Sequence, residues 1–489
     1  MRQLSSLDAQ FLHVESTTTV GHVGGLLVLD PSGAPGGELT LSALRAVLEP
    51  RLHLAAPLRQ RLVEVPLGLG RPYWVDDPEF DLEFHLREVA LPLPGDAQQL
   101  GEQVARIHAR PLDRTRPLWE MYLIHGVDGV RSAIYSKVHH AAIDGVSGAE
   151  ILATIMDLTA EPRVVEDIDW APGSLPGRVE LLERGLLSTV TQPWDLIRTL
   201  PKTLPHLADL PGAANVPGIR AISDLSAAVA KVATGGAASS TMERRELRAP
   251  RTPFNGPITA HRRFSFGSLP LADIKAVKNA FGMTVNDVVM ALCTSALRRW
   301  LLDHDALPTV PIVVAVPVSI RGGDRSGPGG NQISVMLAEM PTEVGDPAER
   351  LSLVMTAMTN AKRHFQAVPA TILQDLSTVI PTALSGLAAR QLFKLVTAPG
   401  LPFNLFVSNV PGPQVPLYVA GARVLGLYPV SAVTDMTGGL NITLFSYDGS
   451  IDFGLIACRE LVPDVWNLID YLRDALAELM DLVSASPAG

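Results

Sequence analysis

The sequence has few of the residues on which several protein classes depend. Two cysteines, Cys293 and Cys458, among 489 residues are too few for a disulfide framework or a cysteine-rich zinc site, so we expect two buried, reduced thiols. Charged residues make up only 18%, and the formal net charge of −10 argues against a dedicated nucleic-acid-binding protein. These shortages exclude a disulfide scaffold and argue against a dedicated nucleic-acid binder, although a local basic patch stays open.

Long apolar runs are also missing. The longest, from Val310 to Ile320, contains two prolines and is shorter than the roughly 20 residues that cross a bilayer. The N-terminus has an early acidic residue, Asp8, and no apolar core of a signal peptide. We therefore expect a cytoplasmic protein that is not secreted and has no transmembrane helix.

Several motifs of well-known enzyme classes do not occur. The sequence has no P-loop, no complete dinucleotide fingerprint, no Gly-x-Ser-x-Gly elbow of a serine lipase and no His-Glu-x-x-His zinc motif. The sequence therefore does not support a P-loop nucleotide site, a Rossmann cofactor site or a zinc site of this kind, and we expect no cofactor and no metal.

The composition that is present predicts a large globular α/β protein. Hydrophobic residues make up 47%, enough to bury a sizeable core. Strand and helix patterns fill residues 1–160 and 256–489, whereas Pro, Ala, Gly and Leu dominate residues 161–255. We interpret the chain as two α/β domains, 1–160 and 256–489, joined by a long, partly helical crossover linker, 161–255.

The first domain contains a β-hairpin followed by a short loop that is rich in polar residues. The predicted strands, Met121–Ile124 and Ser132–Val138, flank a glycine-containing turn. A Ser-x-x-Glu capping box, Ser147 to Glu150, predicts the start of the next helix. The loop between strand and helix reads His139-His140-Ala141-Ala142-Ile143-Asp144-Gly145.

This loop favours proton-transfer chemistry. Because successive strand side chains point to opposite faces, only one of His139 and His140 readily faces a given cleft. Asp144 can fold back across the loop, and Gly145 permits a sharp turn into the helix. A histidine base without a neighbouring serine or cysteine nucleophile suits direct transfer of an activated acyl group to a hydroxyl or amine. Two alternatives stay open if the histidine pair is considered without the rest of the loop. The pair could be structural or, less readily, it could belong to a metal site.

The second domain has recognisable elements of its own. Thr284 predicts the N-terminal cap of a helix through about Leu302. The segments Leu440–Tyr447 and Ile451–Cys458 flank Asp-Gly, which favours a type I′ hairpin. Strands are also predicted at Val310–Ile320 and Asn331–Met340, and an amphipathic helix follows Pro463.

The histidine string, within this set of motifs, resembles a known family. His-His-x-x-x-Asp-Gly, from His139 to Gly145, matches the signature of the CoA-dependent acyltransferase superfamily, which includes chloramphenicol acetyltransferases and condensation domains. Nearly the whole chain is similar to bacterial wax ester synthases/acyl-CoA:diacylglycerol acyltransferases. The matching segments are Leu4-Ser5-Ser6-Leu7-Asp8-Ala9-Gln10-Phe11, Arg116-Pro117-Leu118-Trp119-Glu120, Asn255-Gly256-Pro257-Ile258, Val285-Asn286-Asp287, Pro317-Val318-Ser319-Ile320-Arg321, Gly330-Asn331 and Ser408-Asn409-Val410-Pro411-Gly412-Pro413.

The resemblance implies a fold and an activity. It implies two chloramphenicol-acetyltransferase-like domains, each a mixed sheet flanked by helices, with a tunnel between them. Acyl-CoA enters from one side as a substrate, and diacylglycerol or a fatty alcohol enters from the other. His140 is then the general base, His139 a supporting or accessory residue, and Asp144 an orienting residue with Arg321 as its candidate partner.

Further site residues follow from the same resemblance. Asn286, in the first turn of its predicted helix, is the candidate oxyanion or substrate-orienting donor, although ordinary helix capping explains it equally well. Gly145 is grouped with it as a substrate-binding position, and Ser319 and Ser408 are weaker candidates. Trp119 lines an acyl channel or lies in the core.

The family resemblance leaves alternatives open. Residues 372–406, rich in Leu, Ile, Val and Ala, form either a surface that lies on a membrane or lipid droplet or part of the domain interface. The same superfamily also contains enzymes that use an amine or a carrier-bound acyl group, and a non-catalytic lipid-binding protein would keep the same fold. Acceptor preference and oligomeric state are not determined by the sequence.

Overall fold

The computed structural model describes residues 1–68, 70–143, 151–152, 154–166, 173–185, 249–319, 333–367, 403–435 and 437–485. Every structural statement below concerns these residues. The predicted α/β class is confirmed: strands of mixed direction form two large sheets, and helices cover them.

The strands and helices follow one another along the chain with these bounds. The strands are β1 (Arg2–Gln3), β2 (His22–Asp30), β3 (Gln60–Val63), β4 (Tyr73–Asp76), β5 (Leu86–Ala90), β6 (Trp119–Val127), β7 (Arg131–His139), β8 (Arg262–Pro270), β9 (Ile312–Ser319), β10 (Ile333–Met340), β11 (Leu405–Val410), β12 (Tyr418–Val419), β13 (Ala422–Val430), β14 (Leu440–Tyr447) and β15 (Ser450–Cys458). The helices are α1 (Ser6–Val14), α2 (Leu41–Leu48), α3 (Leu82–His85), α4 (Ala97–His108), α5 (Leu271–Phe281), α6 (Val285–Asp303), α7 (Pro347–Ala367) and α8 (Val465–Ala485).

Three sheets organise these strands. The first large sheet has the order β12-β13-β2-β7-β6-β5, and the second has the order β10-β9-β11-β14-β15-β8. A small sheet, β1-β4-β3, lies in the first part of the chain. Each large sheet is mixed, because β5 pairs with β6 and β11 pairs with both β9 and β14 in parallel, whereas the other neighbours are antiparallel.

Local sequence signals determine several of these elements. The predicted hairpins are confirmed as the antiparallel pairs β6–β7 and β14–β15. The turn of the second hairpin has positive φ at Asp448 and Gly449, as a type I′ turn requires. The predicted helix after Thr284 is also confirmed: the Thr284 side chain accepts from the Asp287 N–H group, and the Asp287 side chain returns to the Thr284 N–H group.

One pair of strands belongs to a different large sheet from the strands that surround it in the sequence. β12 and β13, from the second half of the chain, extend the first sheet because β13 pairs antiparallel with β2. β13 also passes close to β15 at Gly454, where a Cβ atom would stand 1.8 Å from the Pro429 carbonyl oxygen. Glycine is therefore required at this close approach of β15 to β13.

The interior contains histidines that form hydrogen bonds within the protein. His22 donates from Nε2 to the carbonyl oxygen of His108 at 2.5 Å, and the His108 ring lies 2.6 Å from the Tyr135 hydroxyl. Both histidines are completely buried. Burial is the largest cause that holds the pKa of His22 well below its ordinary value and lowers the pKa of His108 to about 3. Both rings are therefore neutral in the folded protein.

Acidification is expected to destabilise the fold. The pKa values of His22, His85, His108 and His140 are all lowered, chiefly by burial, so the unfolded chain takes up protons first as the pH falls below 6.5. Each such histidine removes about 1.4 kcal/mol of stability per pH unit between 6.5 and its folded pKa. Asp452, whose pKa burial raises to about 6, acts in the opposite direction and offsets part of this loss.

Urea unfolding at about pH 7.5 and about pH 5 measures this effect, with a lower midpoint at the more acidic pH as the expected result. An equal or higher midpoint at about pH 5 would contradict neutral burial of these histidines.

Within the part of the chain that the structure describes, no single helix has the length and apolar composition needed to cross a bilayer. The pair α5 and α6 meets both criteria together, but the two helices are bent by 104° relative to each other. Most of α6 is buried in the core of the second sheet.

Candidate active site

The two motif histidines lie at the end of β7, where the chain turns into a short 3₁₀ helix, His140–Ala142. The His139 N–H group donates to the Leu118 carbonyl oxygen at 2.9 Å, next to the start of β6. The His140 N–H group donates to the Gly21 carbonyl oxygen at 2.8 Å, next to the start of β2. Backbone hydrogen bonds to both neighbouring strands therefore fix the position of this turn.

Both ring nitrogens of His139 are engaged. Its Nδ1 accepts from the Ala141 N–H group at 3.0 Å, so the proton of a neutral ring is on Nε2, which lies 3.2 Å from Glu15 Oε1. The side chain is only 1% exposed. These contacts favour the supporting role for His139, because it would have to break a hydrogen bond to accept a proton from a substrate.

Glu15 is a residue of this site that the sequence patterns did not identify. It caps the C-terminus of α1 and also accepts from the Gly21 N–H group at 2.7 Å and from Arg114 at 2.6 Å. Burial by itself would raise the pKa of Glu15, but the hydrogen bonds from His139, Arg114 and Gly21 outweigh it and lower that pKa to about 2. Its carboxylate is therefore charged at neutral pH. The one available signal was its position four residues after Phe11, the last residue of a matched segment.

His140 differs from His139 in its surroundings. Its side chain is half-buried, and its ring stacks on Phe11 with 4.0 Å between centroids and 21° between planes. Nδ1 is enclosed and has no hydrogen-bond partner among the described residues. Burial, assisted by nearby His139 and opposed by a contact with its own backbone, lowers the pKa of His140 to about 4. The imidazole is therefore unprotonated at neutral pH, as a general base must be.

The rest of the histidine string lies outside the described residues. This applies to Asp144 and Gly145, to the capping box from Ser147 to Glu150, and to Arg321. Their roles remain predictions.

Asn286 is described, at the second position of α6. It is half-buried, and its side-chain oxygen accepts from the Asn409 amide at 3.3 Å. The adjacent Asp287 is directed elsewhere: it caps Thr284 and forms an ion pair with Lys362 at 3.2 Å. The two neighbouring residues thus differ in role, because Asp287 caps the N-terminus of α6 and the Asn286 side chain takes no part in the cap. Asn409, on β11, was not identified as a site residue from the sequence.

The structure therefore describes two groups of candidate site residues. Glu15, Phe11, His139 and His140 contact one another, and Asn286 contacts Asn409. Among the described residues no hydrogen bond or ring contact joins the two groups. No set of three or more His, Cys, Asp or Glu side chains in the described ranges could hold a metal ion.

Trp119 belongs to the core. It is 2% exposed, its indole N–H group donates to the Leu58 carbonyl oxygen at 2.8 Å, and its ring stacks on His85 with centroids 4.5 Å apart. The preceding residue, Leu118, supplies the carbonyl that His139 uses. Trp119 thus fixes the start of β6 beside the histidine turn.

The remaining candidates are only partly described. Ser408 is half-buried on β11, and Ser319 is the last residue of β9. Of the predicted lipid-facing segment 372–406, only residues 403–406 are among those described.

Comparison with known proteins identifies the family. Residues 4–289 match the model of the wax ester synthase/diacylglycerol acyltransferase catalytic domain, and residues 329–480 match that of the C-terminal domain of the same family. The chain belongs to the wax ester synthase/diacylglycerol acyltransferase family. It is therefore an enzyme, an acyltransferase, as the histidine string predicted.

Individual relatives agree with this family over nearly their full length. A Mycobacterium tuberculosis protein named as a diacylglycerol O-acyltransferase is 36% identical, over 100% of this chain and 92% of the relative. Another from the same organism is 36% identical, over 97% of this chain and 99% of the relative.

Solved structures support the same family and its fold. The wax ester synthase/diacylglycerol acyltransferase of Marinobacter aquaeolei VT8 matches with a TM-score of 0.67 and 31% identity, over 99% of this chain and 100% of that one. The first condensation domain of the calcium-dependent antibiotic synthetase matches with a TM-score of 0.53 and 17% identity, over 100% of this chain and 98% of that one. The second likeness concerns the fold alone, which is the two-domain, chloramphenicol-acetyltransferase-like fold expected from the sequence.

Proposed function

We propose that this acyltransferase moves a long-chain acyl group from acyl-CoA to the hydroxyl of diacylglycerol, of a fatty alcohol, or of both. The observation that carries the proposal is the contrast between the two histidines. The His139 ring is fully used within the protein, whereas the His140 ring is half-buried and unprotonated. His140 is therefore our candidate for the general base.

The reaction needs one proton to move and one bond to be exchanged. His140 removes the proton of the acceptor hydroxyl through Nε2, because Nδ1 is enclosed. The acceptor oxygen attacks the thioester carbonyl carbon, the new C–O bond forms and the C–S bond breaks. The leaving sulfur of CoA then takes the proton from the His140 imidazolium. A thioester is sufficiently activated for this direct transfer, so no covalent acyl-enzyme is required.

The negative charge that develops on the thioester oxygen requires a donor, and we assign this role to Asn286. Its side-chain oxygen accepts from Asn409, which directs the amide N–H groups of Asn286 away from that contact. Asn286 also lies at the N-terminus of α6, where the positive end of the helix dipole favours an anion. Asp144 keeps its proposed orienting role, with Arg321 as its proposed partner, and Gly145 its proposed place in the substrate site.

Glu15 holds the supporting histidine in this proposal. Replacing it with alanine leaves the His139 Nε2–H group and the Gly21 N–H group without their acceptor, which we expect to lower stability by about 1–3 kcal/mol and to reduce activity. Because the folded pKa of Glu15, about 2, lies below its ordinary 4.5, the charged form contributes its full stability above pH 4.5 and loses it as the pH falls toward 2.

Urea unfolding and turnover at neutral pH check the Glu15 prediction. Glu15→Gln keeps an acceptor oxygen and should lie between wild type and Glu15→Ala in both measurements. Asp470→Ala serves as the control, because it removes an exposed ion pair and should change stability by less than about 1 kcal/mol. Equal effects of Glu15→Ala and Asp470→Ala would contradict the role of Glu15.

The acceptors that we propose are lipids, which determines where the enzyme meets them. Diacylglycerol and fatty alcohols partition into membranes and lipid droplets, so we propose peripheral contact with such a surface, with residues 372–406 as the candidate segment. The choice between the two acceptors depends on the shape of the substrate tunnel, which remains a prediction.

One assay tests the proposed activity. Purified protein is supplied with a long-chain acyl-CoA and either diacylglycerol or a fatty alcohol, and free CoA and neutral lipid are measured. We expect CoA release that depends on the acceptor and that matches the ester formed. Acyl transfer to an amine but to neither alcohol would favour the amine-using alternative, and the absence of all transfer would favour a lipid-binding protein without catalysis.

A further inference from the structure

Helix α1 and its C-cap residue together contact both motif histidines. Phe11 stacks on the His140 ring, and Glu15, four residues later, accepts from the His139 ring. Residues four apart in a helix lie on the same side, so a single element reaches both rings. α1 is itself fixed, since the Ser5 side chain caps its start and Arg114 donates to the Leu12 carbonyl oxygen at 2.6 Å.

The Phe11–His140 contact has the geometry of a stack. The centroids lie 4.0 Å apart and the planes differ by only 21°, so one face of the imidazole is covered by an apolar ring. A face covered in this way is closed to water, and the ring cannot rotate about its Cβ–Cγ bond without losing the contact. The other stacked ring pairs among the described residues of the first half join His85, which lies outside the candidate site, to Phe80 and to Trp119.

We propose that Phe11 is a positioning residue for acyl transfer: its ring holds the His140 imidazole in one orientation and keeps water from that face. This inference rests on the proposed role of His140 as the base. Phe11 does not itself exchange a proton. It acts by fixing where Nε2 points and by maintaining the low polarity around the ring.

The surroundings of His140 show that a test of Phe11 should measure the pKa of the His140 imidazole. The titratable groups near the motif come from three elements. Glu15, the C-cap of α1, is hydrogen-bonded to His139, His22 on β2 is neutral, and His139 precedes His140 at the end of β7. Burial is the largest cause of the lowered pKa of His140, and His139 contributes less. Removing the Phe11 ring should therefore admit water and raise the pKa of His140 from about 4 toward its ordinary 6.5.

The test compares Phe11→Leu, Phe11→Tyr and Phe80→Leu in the full-length protein. Phe11→Leu keeps apolar volume but loses the stack, and we expect kcat/KM to fall roughly tenfold at neutral pH as the base loses its orientation. In the pH profile of kcat/KM, the acidic limb of Phe11→Leu should lie about one pH unit or more above that of wild type. Phe11→Tyr retains the aromatic face and should restore both values.

Phe80→Leu is the matched control. It removes a half-buried phenylalanine that stacks on another histidine, His85, with centroids 5.3 Å apart and planes within 12°. We expect its pH profile to coincide with that of wild type. Thermal melts of all three variants identify any that fail to fold, and NMR titration of the His140 ring gives a reading that does not depend on turnover.

Two results would overturn the inference. One is a Phe11→Leu profile and His140 titration that both match wild type, and the other is an equal upward shift in Phe80→Leu. Failure of the proposed function has a different signature, because it would appear as wild-type turnover in His140→Ala, whatever the Phe11 variants do.

Discussion

Replacing His140 with alanine should lower kcat/KM for acyl transfer by about 10²–10⁴-fold, the usual contribution of one positioned general base. By the relation of 1.36 kcal/mol per tenfold, the barrier rises by roughly 3–5 kcal/mol. The reason is local, since the neighbouring His139 has both ring nitrogens engaged and cannot replace it. CoA release from acyl-CoA with a saturating alcohol acceptor measures the loss.

A thermal melt and an exposed histidine provide the controls for His140→Ala. The variant should unfold near the wild-type temperature, because His140 is half-buried and its Nδ1 has no hydrogen-bond partner among the described residues. His261→Ala removes an exposed histidine that pairs with Glu460, and it should leave turnover unchanged. Undiminished transfer by a folded His140→Ala protein would refute the assignment of the base.

Replacing Asn286 with alanine should lower kcat by about 10²–10³-fold, the effect of removing one oxyanion donor. KM for acyl-CoA should change much less, because the contact strengthens as charge develops in the transition state. The Thr284 and Asp287 capping box is independent of the Asn286 side chain, so α6 should still begin at the same residue. Steady-state kinetics, with kcat and KM obtained separately, measure this prediction.

Two asparagine variants calibrate that result. Asn409→Ala removes the group that donates to the Asn286 oxygen, so kcat should fall by a smaller factor than in Asn286→Ala. Asn467→Ala, at an exposed position on α8, should have no effect on kcat. A loss in Asn286→Ala that appears only in KM, or only as a lower melting temperature, would instead assign Asn286 to substrate affinity or to helix stability.

Local patterns in the sequence predicted those elements whose signals lie within a few residues. The β14–β15 hairpin follows from Asp448 and Gly449, and the start of α6 follows from Thr284 and Asp287. The sheet to which β13 belongs could not be predicted in this way. The alternation in Ala422–Val430 indicates a strand, but its pairing with β2 is a contact between segments about 400 residues apart, which no short-range pattern encodes.

The candidate site divides along the same line. His139, His140 and Asn286 were identified as site residues from short motifs. Glu15, Phe11 and Asn409 were not, although Phe11 and Asn409 lie in matched segments, because their contacts with the site depend on the fold. Glu15 contacts His139 although the two residues are 124 positions apart in the sequence, and Asn409 contacts Asn286 across a separation of 123 positions. Only the folded chain brings these partners together. The division of roles between the adjacent Asn286 and Asp287 likewise depends on tertiary contacts with Asn409 and Lys362.

The exchange of β13 into the first sheet has a consequence for biosynthesis. While the ribosome is still making the middle of the polypeptide, β2 has β7 on one side and a bare edge on the other. That edge acquires its native neighbour only after Val430 has left the exit tunnel, long after β2 itself has emerged. A nascent protein truncated before this point would expose unpaired strand backbone, which is prone to aggregation.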